Sequence, residues 1–129
     1  MISTASASSR TFASGSGSNK TFNKLTYTVA GSTGALVLTG AGTFDTINFS
    51  DVTNARTLTL PASTTTTITS AFNVNGTSGK LMTINSSSAG TRATLSKASG
   101  VVSCDYLSIF DSTATGGASW LAGANSISN

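Results

Sequence analysis

Short runs in which apolar and hydroxyl side chains alternate recur from Leu25 onward, about ten residues apart, and this two-residue period constrains the fold more than any other feature. The runs are Leu25-Thr-Tyr27-Thr-Val29, Leu36-Val-Leu38, Ile47-Asn-Phe49, Thr57-Leu58-Thr-Leu60, Thr66-Thr-Ile68, Phe72-Asn-Val74, Leu81-Met82-Thr-Ile84, Ala93-Thr-Leu95, Val101 to Cys104 and Tyr106-Leu107-Ser-Ile109. Each is bounded by Gly, Asn, Asp or Ser and reads as a strand that turns its large residues inward and its hydroxyls outward. Helices are disfavoured by the same alphabet. Ser, Thr and Asn compete with the helical backbone for hydrogen bonds, and each helical Gly costs about 1 kcal/mol relative to Ala. The chain is expected to be all-β, and its 129 residues fit one domain with a single core.

Two architectures accept many short strands, a sandwich of hairpins and a parallel β-helix, and the turns decide between them. A hairpin sandwich calls for two-residue Asn-Gly or Asp-Gly turns between paired strands. The one candidate, Asn75-Gly76, is followed by Thr77-Ser78-Gly79 before the next run. Corners of Ser, Thr, Gly and Asn are what the sequence repeats, and corners are what a coil of parallel strands needs. Ile47-Asn-Phe-Ser-Asp51, Phe72-Asn-Val-Asn75 and Leu107-Ser-Ile-Phe-Asp111 open in the same way, with Leu25 to Val29 a weaker fourth. They predict a short right-handed parallel β-helix of about four uneven coils, starting near residues 25, 47, 72 and 107, with three strands in each complete coil. Leu25, Leu36, Leu38, Ile47, Phe49, Leu58, Leu60, Ile68, Phe72, Val74, Ile84, Leu95, Leu107 and Ile109 are expected to face inward.

Ahead of this β-helix domain, assigned to residues 21–129, residues 1–20 contain twelve Ser, Ala or Gly, with Ile2 and Phe12 as the sizeable apolar side chains. Such a segment cannot offset its own ordering entropy and is expected to lie along a partner as an extended arm. Seven Lys and Arg against four Asp give a net charge of +3, and Arg10, Lys20 and Lys24 all precede the first acid, Asp45. The expected partner contacts are therefore Ile2, Arg10, Phe12, Lys20 and Lys24. No basic run is interleaved with aromatics, so the basic pI reflects missing acids and nucleic acid is not an expected partner.

The stretch Asn75-Gly-Thr-Ser-Gly-Lys80 through Gly100, followed by Asp105 to Trp120 with its Asp111-Ser-Thr-Ala-Thr-Gly-Gly-Ala-Ser-Trp120 segment, resembles the β-helix segments of phage virion proteins. The resemblance covers residues 47 to 125 and is most specific in the pairing of an NGTSG corner with a later DSTATGGASW segment. It implies a β-helix with a virion or surface role and carries no catalytic motif.

Chemistry is sparse. The chain has no His, so Ser-His-Asp and Cys-His sites are out of reach, and the single Cys104 is expected to be a small buried hydrophobe. Asp45 with Asp51, or Asp105 with Asp111, could form the carboxylate pair of a glycosidase, but acids flanking a strand commonly bond their own turn. Neither a catalytic residue nor a metal or cofactor is expected, and Gly40-Ala-Gly42 is too short for a phosphate loop. Asn48, Asn75 and Asn85 begin glycosylation-type triplets that abundant Ser and Thr produce by chance. Thr26 and Thr28, Thr57 and Thr59, and Thr65, Thr67 and Thr69 resemble the ladders of ice-binding solenoids, a reading that unequal coils argue against.

No window has the ~18 apolar residues of a membrane span, no signal-peptide pattern opens the chain, and assembly in a cytoplasm is expected. Open strand edges at both ends of a short β-helix call for neighbours, and a homotrimer is expected. The functional expectation is a bacteriophage head decoration or cement protein, held on the major capsid protein by its arm. A tail spike or fibre fragment and a bacterial surface adhesin are the alternatives.

Overall fold

The computed structural model describes residues 8–14, 20–27, 31–51 and 53–128. They form thirteen strands and no helix. In chain order these are β1 (Arg10–Ala13), β2 (Lys20–Thr26), β3 (Leu36–Thr39), β4 (Gly42–Asn48), β5 (Thr57–Leu60), β6 (Thr65–Asn73) and β7 (Met82–Ser86). There follow β8 (Ala93–Ser96), β9 (Val101–Ser103), β10 (Leu107–Ile109), β11 (Ser112–Thr115), β12 (Ser119–Leu121) and β13 (Ile127–Ser128).

Every pairing between strands is parallel, so the architecture is of the β-helix type and the hairpin sandwich is excluded. Successive strands up to β8 alternate between two sheets, one of order β1-β3-β5-β7-β10-β13 and one of order β11-β8-β6-β4-β2. A third sheet holds only β9 and β12. The circuits before β9 therefore carry two paired strands each, not the expected three, and the longest sheet is six strands deep, deeper than four coils. The difference has two sources. Thr66-Ile68 and Phe72-Val74, read as separate runs, belong largely to β6, and β1, β11, β12 and β13 lie in segments whose alternation is too short or too polar to show in the sequence.

Burial follows the pleat. Leu36 faces Leu58, Leu58 faces Ile84 and Ile84 faces Ile109 along the first sheet. Phe22, Phe44 and Ile68, then Leu25, Ile47 and Phe72, form parallel files along the second. All the residues expected inward are buried except Ile109, which is half-buried against the core. Tyr27, Phe44, Met82, Ala93, Val102 and Cys104 complete the core. Val29, part of the first expected run, lies outside the described residues.

The corners explain the sequence punctuation. In the NGTSG segment, a Cβ on Gly76 would stand 2.3 Å from the Lys80 carbonyl oxygen and 2.6 Å from that of Tyr106. Asn75 Oδ1 accepts from the Asp105 amide at 2.8 Å, so this corner and that of Asp105 lock together. In the DSTATGGASW segment, Gly116 has φ +92° and its Cβ would meet the Lys97 carbonyl oxygen at 2.1 Å. Backbone on backbone leaves no room for a side chain there.

Candidate functional site

At one end of the stack, the segment expected as a free arm is partly built into the body. Arg10 to Ala13 pair with Leu36 to Thr39, so β1 is the first strand of the first sheet. Phe12, expected to fill a pocket on a partner, already packs edge-on against Phe22 at 5.0 Å and against Phe44 at 5.7 Å. Arg10 is half-buried in the same strand, whereas Lys20 and Lys24 on β2 are exposed. Ile2 lies outside the described residues. Among the four that are described, the structure leaves the two lysines as accessible charge and uses Phe12 to cover the core.

Each acid has a structural task. Asp45 sits opposite the irregularity of β6, where the register with β4 shifts, and its carboxylate accepts from Ser70, from Thr46 at 3.0 Å and from Thr69 at 3.3 Å. These bonds, that from Ser70 foremost, hold its carboxyl below the usual range. Asp51 accepts from the Thr53 amide at 2.7 Å, the Thr53 hydroxyl at 2.6 Å and the Asn54 amide at 3.3 Å. Asp105 accepts from the Tyr106 amide at 2.8 Å and from the Asn125 side chain at 2.8 Å. Asp111, in the left-handed region at φ 43°, accepts from the Gly90 amide at 2.9 Å. All four carboxylates are engaged with backbone or uncharged side chains, and Asp51 in addition with Arg56. No cluster of three or more metal-ligating His, Cys, Asp or Glu side chains exists among the described residues.

Sequence reasoning missed the most buried charge. Arg56 is 2 % exposed, and its guanidinium lies over the rings of Tyr27 and Phe49, with Cζ 4.2 and 4.6 Å from their centroids. Its Nε donates to the Gly34 carbonyl at 3.2 Å, and Nη1 stands 3.6 Å from Asp51 Oδ2. Enclosed in this way, it serves the core.

The opposite end of the stack is open. Phe72, Ile84, Leu95, Leu107, Trp120 and Leu121 line an apolar cavity of about 230 Å³ between the last strands. Cys104 is in its wall, donating to the Phe72 carbonyl at 3.9 Å, and burial pushes its thiol up, away from reactive thiolate. The exposed large apolar residues, Val101, Leu121 and Ile127, all belong to strands of this end. β11, β12 and β13 are the outermost strands of their sheets, so each presents one edge without a strand partner among the described residues. Chemically, this end can accept apolar side chains and a strand. Its sequence signal was Trp120-Leu121 together with Ile127, apolar residues that no later run matches.

Comparison with protein-family models, with curated proteins and with solved structures gives no match for this chain.

Proposed function

We propose that this chain is a right-handed parallel β-helix that serves as a virion structural protein, decorating the head as a homotrimer and seating the open end of its stack on the major capsid protein. The hand follows from the connection rule, since parallel strands of one sheet joined by a crossover are almost always wound to the right. The observation that carries the reading is the open end, with its apolar cavity beside exposed Val101 and Leu121 and its unpaired strand edges. Seating that end on another protein removes apolar surface from water and pairs the edges. Attachment through Phe12 is replaced in this reading, because its ring is engaged at the far end of the stack.

The test is occupancy on undecorated heads, read by electron microscopy for the wild-type chain and for Leu121→Asp and Val101→Asp. The expected result is loss of decoration in both variants, with Lys20→Ala and Lys24→Ala retaining it. Equal decoration by the Asp variants, or protein found only on the tail, refutes the proposal.

A further inference from the structure

The outer face of the five-stranded sheet carries a grid of hydroxyls that the virion reading does not use. Thr21 faces Thr43, Thr43 faces Thr67, Thr67 faces Ser96 and Ser96 faces Thr115, a file that crosses all five strands without a slip. Two residues away, Thr65 faces Thr94 and Thr94 faces Thr113. These eight side chains are all Thr or Ser, and none of them is buried. The register irregularity between β4 and β6 falls after Phe44, outside both files. Unequal circuit lengths argued against a regular grid in the sequence, but the turns absorb the excess residues. Residues 75–81 and 87–92 lie between strands, and the paired positions stay aligned.

Parallel strands set the repeat across the files at ~4.8 Å, and alternate residues set the repeat along a strand at ~6.6 Å. A two-dimensional lattice of methyls and hydroxyls results, with no charged or aromatic side chain among the eight, and Asp45, two residues beyond Thr43 on β4, borders it. That composition offers nothing to a phosphate backbone, which needs cations, or to a protein hot spot, which needs aromatic or Arg anchors. It matches a surface that is itself a neutral, periodic array of hydrogen-bonding oxygens. The first sheet makes a natural comparison, because its outer file of Thr11, Val37, Thr59 and Asn85 mixes hydroxyl, aliphatic and amide groups.

We infer that the Thr face of the five-stranded sheet adsorbs to ice, its hydroxyl files holding water in the spacing of the crystal surface. This rests on the registers alone and is independent of the virion reading. The experiment uses the full chain, with thermal hysteresis and ice-crystal shaping measured for wild type, Thr65→Lys, Thr67→Lys and Thr59→Lys. Circular dichroism and light scattering establish that each variant is folded and report its mass. Expected are faceted crystals and a hysteresis gap for wild type and Thr59→Lys, and loss of both for folded Thr65→Lys and Thr67→Lys. A wild-type chain that is excluded from growing ice and leaves crystals round overturns the inference. So does retention of shaping in both grid variants, or a fall in oligomeric mass caused by them, which would make the face a contact between copies.

Discussion

Arg56 shows how much one residue can hold in a chain with so few charges. Its side chain is fully enclosed, with Asp51 4 % exposed beside it, and its contacts reach Tyr27, Gly34 and Phe49. Removing one member of a buried pair leaves the other charged and unsolvated, so Arg56→Ala should lower unfolding free energy by about 3–5 kcal/mol in a denaturant titration. The double variant Arg56→Met with Asp51→Asn should recover much of that loss, since a well-packed apolar replacement removes the desolvation it was offsetting. Acid should act on the same site. Burial works to raise the Asp51 carboxyl, yet bonds from Thr53 and Asn54 and the charge of Arg56 together bring it below the ordinary value. A carboxyl depressed by folding stabilises above its unfolded pKa of about 3.9 and loses that contribution as pH falls through the folded value. An acid titration of wild type against Asp51→Asn should therefore show their stabilities converging as pH drops below about 4. The inward leucines and phenylalanines were legible because alternation fixes their face. Arg56 was not, because Asn54-Ala55-Arg56 reads as a polar corner, and its ring partners are brought near only by stacking of separate circuits.

Among the elements, the strands with alternating large residues were legible, and those without were not. β11 reads Ser-Thr-Ala-Thr and β13 is only Ile127 and Ser128, so each depends on a neighbour already in place, not on its own pattern. β1 was read as arm because Ser, Ala and Gly surround it, although Phe12 completes an aromatic trio with Phe22 and Phe44, the latter two stacked at 5.1 Å. Deleting residues 1–13 should accordingly uncover the edge of β3 and the Phe22 and Phe44 rings, and lower the melting temperature clearly in a thermal scan. An unchanged melt would show that β1 adds nothing to the body. At the other end, Asp105 accepts from the side chain and the backbone amide of Asn125 and so ties down the segment leading to β13. The Asn125 side chain, with the Tyr106 amide, holds the Asp105 carboxyl below its ordinary 3.8. The tie is therefore complete above that value and weakens as acid protonates the folded carboxyl. Amide exchange at Ile127 and Ser128 should rise, beyond the intrinsic pH trend, as pH is lowered past 4, and should already be fast at neutral pH in Asp105→Ala.

For the whole molecule, the two ends of the stack differ in kind, and that difference predicts how the protein attaches. One end is closed by Phe12, Phe22 and Phe44 and flanked by exposed Lys20. The other leaves a cavity of about 230 Å³ beside Leu121, 54 % exposed, and Val101, 63 % exposed. Contact through the second end is apolar, so binding to the capsid protein should survive salt that screens surface charges beyond ~8 Å, and should weaken on cooling as hydrophobic association does. Occupancy on undecorated heads across a salt and temperature series measures this directly. Leu121→Asp places a carboxylate at the rim and should abolish binding, while Lys20→Ala leaves it as it was. Filling the cavity from within gives an independent check. Ala114→Leu, whose position lines the cavity, should reduce binding of a hydrophobic dye without loosening the core that ends at Leu95 and Leu107. Binding that falls with salt, or that persists in Leu121→Asp, would move the contact away from the open end and onto the charged flank of β2.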